Sequence, residues 1–266
     1  MYRINQIIEK KLTPFVKHTV LNGIATISFF HPEQNSLPTI VLRSLIKTIN
    51  LLSNDSGILV IILKSDGRGT FCAGANFTEM LEINDSISGY KYFNGFADLI
   101  NTMRLCPKLI IVRVQGKSVG GGVGLLAAGD YCMATKDAAI KLSDFNIGIG
   151  PFVIEPAIER KIGRSNMAQL TIDATSFYSP AWALDKSLYN AVYDDIKSLD
   201  IAVQDFAVKI SNFNPIAVTK MKEIFWKGTE DWGLLLSERA YLSGKFVLSP
   251  YTKKALKLFK QKKKRL

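Results

Sequence analysis

Histidine and cysteine are scarce in this chain: His18 and His31 are its only imidazoles, and Cys72, Cys106 and Cys132 its only thiols, in 266 residues. With no close pair of either type, no metal centre can be drawn from ligand spacing. Three widely separated cysteines in or beside apolar segments make no disulfide framework and read as buried thiols. Cys72, beside a glycine turn, would need a base to act as a nucleophile, and neither histidine has a context that supplies one. Long hydrophobic runs are missing too. None reaches the roughly 18 residues that span a bilayer, and the start, Met1 to Lys11, matches neither a secretory signal nor a transit sequence. A cytoplasmic protein with no membrane contact is expected.

Acidic residues are the minority charge, 23 against 34 basic ones, for a net charge of +11. The excess is not spread evenly. Eight lysines and arginines and no acid lie between Lys253 and Arg265, so the charge belongs mostly to the tail. Lysines there complement the C-terminal dipole of a helix; the same residues would also suit a phosphate-bearing ligand or a nucleic acid.

What is present is enough apolar residue, 47% against 21% charged, to bury a large core and exclude disorder. Asn22-Gly23 between β-rich flanks predicts a hairpin over 18–30. Apolar residues at helical spacing follow over 37–52. The continuous apolar runs 58–63 and 109–114 are too short for globular helices and read as strands buried on both faces. A helix over 90–105 ends at Pro107. Segments 130–134 and 138–142 read as further short strands, and 123–129 as a short helix that is apolar all round and therefore buried. Strand, loop and helix then alternate to a last strand at 190–193. Beyond about Asp200 the periodicity is helical: 201–213, 215–227, 232–248 and 252–264. Pattern alone predicts an α/β core over 1–200 and a helical part over 201–266.

Two glycine-containing stretches follow directly on apolar strands: Phe71-Cys72-Ala73-Gly74-Ala75-Asn76 and Val119-Gly120-Gly121-Gly122-Val123-Gly124. Small residues there let backbone approach a ligand and leave amide N–H groups free to donate. Gly116-Lys117-Ser118 is not a phosphate loop, since the glycine required five positions before Gly116 is Ile111; nor does the triplet fit a dinucleotide fingerprint, whose third glycine would fall at Leu125.

In order and spacing these stretches closely resemble the signature of the crotonase superfamily, the enoyl-CoA hydratases and isomerases. His31-Pro32-Glu33-Gln34-Asn35-Ser36-Leu37 resembles the family's Arg-Pro-Glu-x-x-Asn-Ala-Leu. Ser143-Asp144 with Gly148-Ile149-Gly150-Pro151 resembles its Pro-Glu-x-x-x-Gly-x-x-Pro. The resemblance covers nearly the whole chain. It implies a spiral of ββα repeats with a C-terminal helical trimerisation region, a homotrimer or dimer of trimers, and an acyl-CoA thioester as substrate, with no separate cofactor because coenzyme A is part of that substrate.

The resemblance also assigns roles. The N–H groups of Ala75 and Gly121 would hold the thioester oxygen as it becomes anionic, a form of stabilisation worth roughly 3 kcal/mol per donor. Of the two glutamates that hydratases use, the one in Gly-Gly-Gly-x-Glu is here Gly124 and the second is Asp144, set back by one methylene, roughly 1.5 Å. Glu155 is a possible replacement. One carboxylate suits double-bond isomerisation better than hydration, and family isomerases commonly keep only the second acid. Syn-hydration by Asp144 with another acid is the alternative, and a catalytically degenerate, RNA-associated binding protein a further one, though nucleic acid is not the expected partner. The coenzyme A end would contact Ala73, Asn76 and Phe77, with Phe259 and Lys262 from the last helix; Thr78 stands where relatives often have lysine. The acyl pocket would draw on 90–96 and 152–154.

Overall fold

The computed structural model describes residues 13–263, the side chains of 262 and 263 excepted. Asn22 and Gly23 both take positive φ, 50° and 76°, the conformation that a two-residue turn between twisted strands demands. They join β1 (Phe15–Leu21) to β2 (Ile24–Phe30) in antiparallel register, Leu21 opposite Ile24. From β2 onward every pairing is parallel. The six-stranded sheet runs β1-β2-β3-β4-β6-β8, with β3 Val60–Ser65, β4 Leu109–Val114, β6 Tyr131–Thr135 and β8 Ala191–Tyr193. The predicted strand 58–63 is displaced toward the C-terminus, because the Ile58 amide donates to Asp55 O in the preceding turn and the Leu59 amide to Gly23 O of the first hairpin.

Each central strand continues past its C-terminal end into a short rung of a second layer. Leu37 bridges Ala75, Cys72 bridges Ser118, β5 (Ser118–Val119) pairs with β7 (Ile140–Lys141), and Ile140 bridges Tyr178. A helix then returns the chain: α1 (Thr39–Ser53) after the first rung, α2 (Phe77–Glu82) and α3 (Ser86–Leu105) after the second, α4 (Gly121–Ala128) after the third. This is the expected ββα spiral. Its consequence is that the chain crosses between layers just where the two glycine stretches lie.

Both faces of the sheet are covered, which is why the central strands are apolar without alternation. The larger core joins Ile27, Phe29, Ile61 and Leu63 to α1 and α3. On the other face Ile24, Val60, Ile62, Ile111 and Met133 pack against Leu199, Val203, Ala207 and Ile210 of α8 (Ile196–Ser211). That helix starts five residues before the sequence expectation. Ile196, Leu199 and Val203 already carry the apolar spacing there, and Asp195 and Ser198 form a reciprocal capping box at the start. Helix α3 likewise begins at Ser86, where the Asp85 side chain accepts from Ser88 N–H at 2.8 Å.

Between β7 and α8 lie α5 (Glu155–Ile162), α6 (Arg164–Ile172) and α7 (Pro180–Asp185). The chain closes with α9 (Pro215–Phe225), α10 (Trp232–Phe246) and α11 (Pro250–Lys263). Helix α9 is tied in by Lys222, buried, whose ammonium lies 2.7 Å from Asp130 Oδ2 and donates to the Met103 and Lys108 carbonyls. Helix α10 meets α3, where Tyr90 and Ser237 hydroxyls are 2.8 Å apart. Helix α11 spans two parts of the second layer. Thr252 Oγ1 donates to Gly148 O at 3.2 Å, and Lys253 Nζ donates to the Met80, Leu81 and Ile83 carbonyls at the end of α2, supplying a cation where a helix terminus is negative. Among the described residues no helix is long and apolar enough to cross a membrane.

Candidate active site

The two glycine stretches converge. Val119 N–H donates to Cys72 O at 2.9 Å, and Gly120 N–H to Lys141 O at 2.9 Å, which fixes the end of β5 against both neighbours. Gly74 has φ 78°, and a Cβ placed on it would stand 2.4 Å from Val119 O and 2.9 Å from Gly121 N, so only glycine lets the loops come this close. Among the described residues neither the Ala75 N–H nor the Gly121 N–H donates to a protein acceptor. Both residues line one narrow cavity of about 30 Å³. Gly121 also opens α4, whose eight residues are all buried, so the helix dipole adds positive potential at that amide.

Asp144 lines the same cavity. It begins a 3₁₀ turn, Asp144–Ile147, closed by Gly148 at φ 79°. Its Oδ2 is fully covered and has no hydrogen-bond partner among the described residues. Burial pushes its carboxyl up from 3.8 to about 7, with its own backbone N–H opposing the shift. A group at that value is base and acid in comparable amounts near neutral pH.

The other wall is apolar: Phe93 and Phe96 from α3, and Phe152, Val153 and Ile154 from the segment before α5. Thus the two segments expected around an acyl group, 90–96 and 152–154, do meet. Gly124 lies on α4 behind this wall. A Cβ there would come within 2.5 Å of Ile154 Cγ2 and 2.9 Å of Ile154 Cβ, so Ile154 occupies the space any side chain at that position would need. Glu155, the possible replacement acid, is not in the cavity lining. Its carboxylate is 3.8 Å from Arg239 and shares a hydrogen bond with Glu159; burial and that neighbour raise its pKa. Among the described residues the cavity lining brings no second carboxylate beside Asp144.

Two residues within the expected segments 90–96 and 152–154 take parts that the sequence does not specify. Tyr92 is buried on α3, and its hydroxyl accepts from Asn76 N–H at 2.7 Å while donating to Leu37 O at 3.1 Å. It holds the peptide next to the Ala75 amide. Tyr92→Phe leaves that N–H buried without an acceptor, a cost of about 1–3 kcal/mol. The expected result is a kcat about tenfold lower with little change in KM, read by steady-state kinetics; an unchanged kcat would remove Tyr92 from the positioning of Ala75. Ile154 is the other. Cys72, by contrast, is buried with its thiol pushed up to about 12, too high for a nucleophile at neutral pH.

The residues expected at the coenzyme A end are partly brought together. Phe77 and Phe259 meet edge to face with ring centroids 6.1 Å apart, and Ala73, shortly before Phe77 in the chain, is half-buried, its N–H donating to Gln34 O at 3.1 Å. The side chain of Lys262 lies outside the described residues. Asn76 differs from the expectation of a contact residue. Its side chain is buried, accepts from Glu79 N–H as the N-cap of α2, and donates to Ser36 Oγ and Glu33 Oε2. Its side-chain oxygen and nitrogen are thus both engaged within the protein. Thr78 donates to Glu33 Oε1 at 2.9 Å, turned inward where a lysine would reach out.

Larger clefts, of about 660 Å³ beside Arg43 and Asp98 and about 950 Å³ beside Arg68 and Asp195, contain none of Ala75, Gly121 or Asp144. Chemistry, not volume, marks the site. No group of three or more metal-ligating side chains is present among the described residues.

A ββα spiral with free amides from two successive turns facing one carboxylate defines a crotonase-superfamily protein. The chain belongs to the enoyl-CoA hydratase/isomerase family, whose model matches residues 19–265. It is 27% identical over 246 residues to the short-chain-enoyl-CoA hydratase of Clostridium acetobutylicum, covering 91% of this chain and 92% of that protein. It is 25% identical over 244 residues to the peroxisomal Δ(3,5)-Δ(2,4)-dienoyl-CoA isomerase of Arabidopsis thaliana, covering 86% and 84%. In structure it resembles an enoyl-CoA hydratase from Bacillus halodurans with a TM-score of 0.84 and 20% identity, covering 92% of this chain and 99% of that one.

Proposed function

We propose that the chain shifts the double bond of an enoyl-CoA thioester by transfer of one proton, with Asp144 as the acid and base. The observation that carries this reading is the pair of unengaged amides, Ala75 and Gly121, on a cavity whose lining contains a single carboxylate. The relatives do not choose between chemistries, since a hydratase and an isomerase stand at 27% and 25% identity.

In a 3-enoyl thioester, the Asp144 carboxylate removes a proton from C2. The electron pair moves through the conjugated system onto the thioester oxygen, where the Ala75 and Gly121 N–H groups receive the charge. The resulting carboxylic acid returns the proton to C4, and the double bond between C3 and C4 becomes one between C2 and C3. Nothing is added or lost. Because the donors are held before the reaction begins, they stabilise the anionic form more than the neutral carbonyl. A cavity of about 30 Å³ is near the volume of one water, so the acyl chain binds by displacing part of the apolar wall. The Ala73 backbone, Phe77, Phe259 and Lys262 are the proposed neighbours of coenzyme A, and residues 201–266 the proposed trimerisation region, which light scattering on the purified chain reports.

The test is a direct comparison of substrates with the native chain. Conversion of 3-hexenoyl-CoA to 2-hexenoyl-CoA is expected to exceed hydration of 2-butenoyl-CoA by orders of magnitude. Faster hydration than isomerisation would overturn the one-base reading in favour of the hydratase.

A further inference from the structure

We infer that Thr252, on α11, is a positioning residue for the Asp144 carboxylate and acts on it through a single peptide unit. The inference rests on Asp144 as the acid and base of the proposed reaction and extends that reading to a residue remote in sequence. The peptide unit is the one joining Gly148 to Ile149. Its carbonyl, Gly148 O, accepts from Thr252 Oγ1 at 3.2 Å. Its N–H, that of Ile149, donates to Asp144 O at 3.0 Å. The Thr252 hydroxyl therefore fixes the plane of the peptide that closes the turn on Asp144.

The contact is prepared from both sides. Thr252 is fully buried; its Oγ1 accepts from the Ser249 hydroxyl at 2.9 Å and its N–H donates to Ser249 Oγ at 3.2 Å, which leaves its own proton for Gly148. Gly148 has φ 79°, and a Cβ there would stand 2.5 Å from Tyr251 Cδ1 and 2.8 Å from Thr252 Oγ1, so glycine is what lets the start of α11 lie against the turn. Asn146 ties the middle of the same turn to Ala174 O at 2.7 Å; Thr252 ties its end.

What the turn holds is a close placement. A Cβ on Gly120 would meet Asp144 Oδ2 at 3.4 Å and Oδ1 at 3.7 Å, so the carboxylate lies over the residue that precedes the Gly121 amide. Oδ2 has no partner among the described residues, and the only hydrogen bond to the carboxyl comes from its own backbone N–H. No neighbouring side chain steers the acid, so its place is set by the backbone of the turn, where a shift of about 1 Å costs as much as about 10²-fold in rate.

Thr252→Val keeps the shape of the buried side chain and deletes the hydroxyl; Thr252→Ser restores the hydroxyl. Burial is what raises the Asp144 carboxyl to about 7, and a loosened turn returns water to it. Thr252→Val is expected to lower kcat for isomerisation at least tenfold with KM little changed. The inflection of kcat/KM against pH should move down by about one unit, and Thr252→Ser should behave as native in both readouts. Ser249→Ala is the control for α11 itself. It removes the bond to Thr252 but not the one to Gly148, so it should lower the melting temperature and leave the inflection in place.

A folded Thr252→Val with native kcat and an unmoved inflection would overturn the inference. So would a Ser249→Ala that moves the inflection as far, because the stability of α11 and not the hydroxyl would then place the acid. Should Thr252→Val fail to fold, Thr252→Ala is read in the same way. If the native chain does not isomerise, the proposed function falls by itself, and the inference is read by carbon-13 NMR titration of the Asp144 carboxyl: a lower pKa in Thr252→Val upholds it, and an unchanged one overturns it.

Discussion

Asp144→Asn is expected to lower kcat for isomerisation about 10³-fold and, at the same time, to make the protein more stable at neutral pH. On the proposed mechanism the loss follows from removing the acid and base, whose contribution is typically about 10²–10⁴-fold. The gain follows from linkage. Burial raises the carboxyl from 3.8 to about 7, so between those values the folded chain binds a proton that the unfolded chain has released, and stability falls as pH rises through that window. Above about pH 7 the native chain carries the whole net penalty of the desolvated carboxylate, at most about 4 kcal/mol. Asparagine carries none of it. The difference in melting temperature should therefore be largest above pH 7, shrink below it, and vanish below about pH 4. Measured by thermal denaturation across pH, a variant less stable than the native chain at pH 8 would show that the carboxylate is stabilised by contacts the structure does not contain. The same titration governs the native rate: kcat/KM should fall tenfold per pH unit below about 7 and level off above it.

The second large effect is expected from Gly74→Ala. A Cβ at this residue meets Val119 O at 2.4 Å and Gly121 N at 2.9 Å, with φ at 78°, so the backbone must leave the left-handed region or the two loops must separate. Either change turns the Ala75 and Gly121 amides away from a common oxygen. Loss of one such donor costs about 10²–10³ in kcat; with both displaced, the fall should be at least 10³-fold, together with a lower melting temperature. Gly69→Ala is the control, because nothing lies within 4 Å of its added carbon, and it should behave as native. Near-native kcat in a folded Gly74→Ala would mean that the two amides do not act on one atom, and the thioester reading would go with it.

Much of this arrangement is legible along the chain because it is local. Asn22-Gly23 prescribes a turn through its own backbone preferences, and short apolar runs prescribe buried strands wherever they are covered on both sides. The small residues from Ala73 to Ala75 and from Gly120 to Gly122 announce backbone that something must approach. Helix starts were less legible: Ser86 opens α3 ahead of its buried face, and Ile196 opens α8 a turn before residue 201, although Asp85 and Asp195 mark both as caps.

The division between what the sequence determined and what folding decided follows from range. By itself the sequence determined the order of strands and helices, the family, and the presence of one acid after Ser143. Only the tertiary structure decided that Ile154 closes the space above Gly124, that Glu155 turns to Arg239 and Glu159, that Tyr92 holds the Asn76 peptide, and that Asp144 Oδ2 is left without a partner. Backbone preference acts over a few residues and is carried by residue type. The neighbours of a side chain come from different turns of the spiral, and they exist only once the layers have packed.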